Sequence, residues 1–97
     1  MNSLILNGVV VGNPKASQTK EGATKCVFVV ETDGRDLPLR FNVLAFGGPG
    51  ETASKLLDGD EILLSGRMVA SVPSKTMSII ANNIEVLAEE NPTTEQN

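Results

Sequence analysis

The sequence predicts an all-β domain, a five-stranded barrel with one short helix between the third and fourth strands. Five apolar segments show the two-residue alternation of half-buried strands, and Gly, Pro, Asn and Asp cluster in the intervals between them. The stretch 41-FNVLAFGGPGETASKLLDGDEILLSGRM-68 sets a short helically spaced piece between two of the apolar runs. The whole chain, at 97 residues, makes one domain at most, with a modest core that partner subunits would help to stabilise.

Segment one runs roughly from Ser3 to Gly12, alternating around Leu4, Leu6, Val9 and Val11, with Gly8 breaking the period as a bulge or bend would. The following NPKASQTKEGAT reads as a hairpin-type loop. Segment two, Lys25 to Thr32, places Cys26, Phe28 and Val30 on one face, and DGRD then turns the chain with an Asp-Gly hairpin signal. Segment three, Leu37 to Phe46, separates a core set of Leu39, Phe41, Val43 and Ala45 from an outer set of Arg40, Asn42, Leu44 and Phe46. GGPG reads as a strand breaker. ETASKLL then gives one to two helical turns with Ala53, Leu56 and Leu57 inward, too short to stand unless packed on the barrel's open end. Segment four, Glu61 to Ser71, presents Ile62, Leu64, Gly66 and Met68 to one side. Segment five, Thr76 to Leu87, presents Met77, Ile79 and Ala81 before resuming as Ile84 and Val86.

Three strands, a helix and two strands is the order of the OB-fold, a five-stranded Greek-key barrel. The SH3-like barrel usually lacks the helix. The domain is expected to span 1–88, leaving EENPTTEQN (89–97) as a flexible acidic tail without apolar periodicity. Eight basic residues face twelve acidic ones over the chain, but residues 1–88 hold nine acids against eight bases. Such a body is nearly neutral, so any polyanion must be met by cations gathered on one face. No apolar run approaches the roughly 18 residues of a membrane span, and no secretory leader is recognisable, so a cytoplasmic location and no membrane partner are expected. The lone Cys26 reads as a small buried hydrophobe that can form no internal disulfide.

Elements along most of the chain carry a resemblance. Asn2, Ile5, Leu6, Gly8, Gly12 and Pro14, then Thr19 and Gly22, then VLAFG (43–47), LLDGD (56–60), SGR (65–67) and IIANNIEVL (79–87) follow one another in the order of the bacterial single-stranded DNA-binding protein (SSB) family. The related PriB type, a primosomal replication protein, is nearly as similar. The resemblance implies single-stranded DNA binding in replication, repair or restart, with no cofactor. It also implies assembly into a homodimer or homotetramer, largely through the first strand, with replication or primosome proteins as further partners.

The departures shape the expected site. SSB holds strands with a basic groove and aromatic platforms, yet this chain has no Trp and no Tyr. Phe28 and Phe41 fall on core faces. Phe46 lies on the outer face and matches a position the family uses for stacking, although it could equally cap the core near the helix. Where the family pattern has a stacking Trp, this chain has Arg40, whose guanidinium can stack on a base and pair with phosphate at once. Arg67 is placed near the groove or is an ordinary solvated barrel residue. Lys20 and Lys25 flank the first loop and Lys75 lies in VPSK, each a candidate phosphate contact or a plain surface charge. The short DGRD and VPSK loops leave less surface to wrap a strand, so weaker binding is expected. TTEQN lacks the aromatic tip through which the family recruits repair enzymes.

Catalysis is not expected. There is no His, Cys26 has no base, and GGPG lacks the Lys-Ser/Thr that completes a phosphate loop. Asp58, Asp60 and Glu61 read as turn chemistry rather than a metal site. Two functions of different class remain: a single-strand nucleic-acid binder using Arg40, Phe46, Arg67 and the loop lysines, and an OB-fold protein-interaction module of a replication assembly with little or no DNA binding.

Overall fold

A computed structural model of the chain describes residues 1–70 and 76–87. Lys75 and the expected tail at 89–97 lie outside the described residues. The elements are β1 (Leu4–Gln18), β2 (Thr24–Thr32), β3 (Leu39–Phe46), α1 (Gly47–Ser54), β4 (Glu61–Ala70) and β5 (Met77–Val86). The strands close in the order β1-β2-β3-β5-β4, antiparallel everywhere except the β3–β5 pair, which is parallel. This is the five-stranded OB-fold barrel with its helix between β3 and β4.

β1 closes the barrel by pairing twice. Its first part runs against β4, from Leu4 opposite Gly66 to Val9 opposite Glu61, and its second part against β2, from Val9 opposite Glu31 to Gln18 opposite Thr24. The strand therefore extends well past the expected Gly12, and the NPKAS stretch is strand rather than loop. A bulge between Val11 and Lys15 absorbs Pro14, which could not donate to a regular ladder, and Gly12 takes φ 77 there.

The turn 57–60 fastens this bend. Asp58 Oδ1 accepts from the Gly12 N–H at 2.6 Å, the Gly59 N–H donates to the Val10 carbonyl at 2.8 Å, and the Val10 N–H donates to the Asp60 carbonyl at 2.8 Å. Asp60 Oδ2 accepts from the Leu57 N–H at 2.8 Å. The acids of LLDGD thus do serve turn geometry. At the other end of β1, the Asn2 amide imitates one more rung of the ladder: it donates to the Met68 carbonyl at 2.7 Å and accepts from the Met68 N–H at 3.0 Å.

Gly8 is no bulge. A Cβ there would stand 2.6 Å from the Glu31 carbonyl oxygen and 2.7 Å from a Val30 methyl, so glycine is needed where β1 crosses closely over β2. The alternation runs through it unbroken, which puts Leu4, Leu6, Gly8 and Val10 inward and leaves Val9 exposed and Val11 only half-buried, opposite to the expected phase.

The core holds Val10, Cys26, Phe28, Val30, Val43, Ala45, Ala53, Leu56, Ile62, Leu64, Ile79, Ala81 and Ile84, with Leu4, Leu6, Phe41 and Met68 packed against it. No polar or charged side chain among the described residues is buried with them. The apparent restart of segment five is a β-bulge: Ser65 faces Asn83 and Gly66 faces Ala81, leaving Asn82 as the extra residue. Leu39, Met77 and Val86 keep the right parity but sit at strand ends beyond the core and are exposed.

The helix begins four residues earlier than expected. GGPG forms its first turn, where the N–H groups have no partner within the helix and Pro49 therefore removes nothing. Gly50 lets it lie against the barrel, since a Cβ there would come within 2.9 Å of the Ala45 and Thr24 carbonyl oxygens. Ala53 and Leu56 enter the core, whereas Leu57 has left the helix and is exposed.

Candidate nucleic-acid interface

Strand register decides which side chains share the barrel's outer face. In β2 and β3 the inward residues are Cys26, Phe28, Val30, Val43 and Ala45, so the intervening positions point outward. Lys25 is registered with Phe46, Val27 with Leu44, Val29 with Asn42, and Glu31 with Arg40. The parallel ladder carries these rows onto β5, placing Ser78 beside Asn42 and Ile80 beside Leu44. β4 continues them with Val69 beside Ser78 and Arg67 beside Ile80. On the other side β1 adds Val11 opposite Val29, Lys15 opposite Val27 and Ser17 opposite Lys25.

One row thus crosses five strands as Lys15, Val27, Leu44, Ile80, Arg67: an aliphatic strip with a cation at each end. The adjoining row brings Ser17, Lys25 and Phe46 together. Neighbouring strands lie about 4.8 Å apart, so the five-strand row is roughly 19 Å long. No acidic residue lies in these two rows or in the row of Val11, Val29, Asn42, Ser78 and Val69. Phe46 is not sealed into the core: it ends β3, turns the chain into α1 with an extended backbone, and keeps 41% of its surface accessible.

The expected site residues fall into two groups. Lys25, Phe46 and Arg67 share the strip and its neighbouring row, and Lys20 is exposed in the β1–β2 connection beside them. Arg40 stands apart, three rows from Phe46 along β3, a separation of roughly 20 Å. Its Nε donates to Glu31 Oε1 at 2.8 Å. Lys75 lies outside the described residues.

Lys15 and the aliphatic trio Val27, Leu44 and Ile80 were not among the expected contacts. Lys15 was hidden by reading its segment as loop; a Pro two residues after a Gly inside a β-branched run is the signal of a bulge that could have retained it.

The lone thiol, Cys26, is fully buried and its pKa is raised by that burial, and among the described residues no group of three or more acidic, Cys or His side chains is placed to hold a metal ion. No helix among the described residues is long and apolar enough to cross a membrane.

No protein-family model matches the chain, and no curated protein does so either. Solved structures do. The SSB domain of a Synechococcus sp. protein superposes with a TM-score of 0.78 at 25% identity, covering 87% of this chain and 93% of that one. A deletion mutant of the single-stranded DNA binding protein from Thermus aquaticus gives 0.85 at 25% identity, over 95% of this chain and 43% of that one. The wild-type Thermus aquaticus protein gives 0.84 at 23% identity, over 97% and 44%. The chain therefore spans less than half the length of the two Thermus aquaticus proteins.

Proposed function

We propose that this chain, an SSB-like OB-fold domain, binds single-stranded DNA across the outer face of β2, β3, β5 and β4 and the adjoining end of β1. The observation that carries the reading is the acid-free strip from Lys15 to Arg67 with Lys25 and Phe46 alongside. Phosphates are met by Lys15, Lys20, Lys25 and Arg67. Bases lie over Val27, Leu44 and Ile80, and one stacks on Phe46. A single aromatic platform and few cations make for weak, sequence-tolerant binding governed by charge. Service in replication, repair or replication restart, as an SSB-type or PriB-type protein without a cofactor, belongs to the same reading.

The test is titration of a fluorescent oligo-dT at low and moderate salt. Affinity should fall with a log–log slope of about −0.7 for each phosphate neutralised, and no detectable binding at either salt would refute the proposal.

Assembly into a homodimer or homotetramer through β1 is part of the proposal. It is supported by Ile5, 76% exposed on that strand, beside a groove of about 560 Å³ lined by Ser3, Leu4, Ile5, Ser65, Gly66 and Asn82. Light scattering of the wild type and of Ile5→Glu tests it, the variant being expected to dissociate.

The same exposed apolar surface favours a second reading, a protein-interaction module of a replication assembly. That reading predicts a partner retained after nuclease treatment and unaffected by Lys25→Glu.

A further inference from the structure

The Arg40–Glu31 contact is the only ion pair among the described residues, and it falls on the face assigned above to DNA. Lys15, Lys25 and Arg67 on the same face form no ion pair among the described residues. Arg40 is exposed, with 62% of its side chain accessible, while Glu31 is about half as exposed at 34%. The two are directly registered across β2 and β3, so the carboxylate is held beside the guanidinium by the sheet itself and not by a chance meeting of long side chains. Val9, flanked by Glu31 on one side and Glu61 on the other, continues the row toward β4. This end of the outer face is therefore neutral to acidic, whereas the Lys25 end is basic.

We propose that Glu31 is an attenuating residue for the DNA surface: it occupies Arg40 in the free protein, so a phosphate must displace a carboxylate to gain that cation. The inference rests on the nucleic-acid reading of the face and adds to it a determinant of affinity and of footprint. With Glu31 in place, the strand is confined to the rows of Phe46 and Leu44, and Arg40 contributes little. With the carboxylate neutralised, one more phosphate is contacted, at Arg40, toward the β2–β3 turn.

Exposed ion pairs are weak, so the expected gain is small but measurable. Glu31→Gln should tighten oligo-dT binding by roughly two- to five-fold at low salt and steepen the salt slope by about 0.7, one additional phosphate. In an Arg40→Ala background the same substitution should give no gain, because there is no cation to release. Glu61→Gln, which removes an equal charge near the same row without freeing an arginine, should leave affinity unchanged. A gain of equal size in both backgrounds would overturn the inference, as would a loss of affinity in Glu31→Gln, which would mean that Glu31 positions Arg40 for DNA. Wild-type binding with an unaltered Glu31→Gln overturns this inference alone. Wild-type protein that binds no oligo-dT overturns the assignment of the face, and this inference with it.

Discussion

Replacing Phe46 separates stacking from charge on the proposed DNA face. The side chain is 41% exposed at the end of β3, registered with Lys25 and next to the Val27–Leu44 row. Stacking of a base on an aromatic ring contributes about 1–3 kcal/mol. With less than half of the side chain accessible, Phe46 should fall in the lower part of that range, about 1–1.5 kcal/mol, or a five- to twelve-fold rise in Kd for Phe46→Ala. Because no charge changes, the salt slope should stay that of the wild type. Phe46→Leu, which keeps apolar bulk against the barrel, should lose nearly as much affinity while holding its thermal midpoint, so that loss of the ring and loss of packing are told apart. The assay is oligo-dT fluorescence titration at three salt concentrations with circular-dichroism melting alongside. Wild-type affinity in both variants would refute the placement of a base on this ring. So would a salt slope that falls with the affinity, because that would make the effect electrostatic.

The remaining predictions concern charge, close packing and the thiol. Lys15→Ala, Lys25→Ala and Arg67→Ala should each reduce the magnitude of the salt slope by about 0.7, whereas Lys55→Ala, at the C-terminal cap of the helix, should not. Gly66→Ala would put a Cβ 2.0 Å from the Ile80 carbonyl oxygen and 2.9 Å from its carbon; parting backbone from backbone should cost at least the upper end of the roughly 1–3 kcal/mol typical of overpacking, read as a drop in urea midpoint. Gly48→Ala meets nothing within 4 Å beyond its chain neighbours, but it precedes Pro49 in the first turn of the helix, where the proline ring crowds a Cβ on the helical residue before it, so the urea midpoint should not rise. Burial raises the Cys26 thiol above its ordinary value of 9.0, so the unfolded chain ionises first. The thiol's contribution to stability is complete below the unfolded pKa and is lost as pH climbs through the folded one; Cys26→Ala should remove that alkaline component from the urea midpoint, and thiol reagents should react only on unfolding.

β2 and β4 were legible because each carries a single unambiguous parity: Cys26, Phe28 and Val30 in one, Ile62, Leu64 and Gly66 in the other. β1 was not, because the triplet Val9-Val10-Val11 offers an apolar residue in either phase and Gly8 can mean a bulge or a close crossing. Only the nearness of Glu31 to Gly8, a contact between distant parts of the chain, selects Val10. Leu39, Met77 and Val86 show a different loss of information, since alternation gives the face of a strand but not where the barrel ends. GGPG does end β3 as a strand breaker should; that it also opens the helix was not legible, because glycine and proline interrupt a helix interior yet are tolerated in its first turn. At the candidate site, outward parity correctly kept Phe46 out of the core and put Arg40 on the same face. It could not show that the two are far apart along β3, that Glu31 stands opposite Arg40, or that Lys15 and Arg67 cap one aliphatic row, because those are facts of register between strands.

The double duty of β1 bears on how the molecule assembles itself. Hairpins β1–β2, β2–β3 and β4–β5 join neighbours in the chain and can form early, but the seam pairs position 4 with position 66, and the parallel ladder of β3 with β5 must wait for the helix and β4 to be in place. Joining such distant stretches is entropically slow compared with closing a hairpin. Until that seam shuts, the edges of β1 and β4 are bare templates for other chains. The interval before closure is when newly made copies are most prone to stick to one another, and Asn2 and Gly8, both on the seam, are placed where a substitution would prolong it.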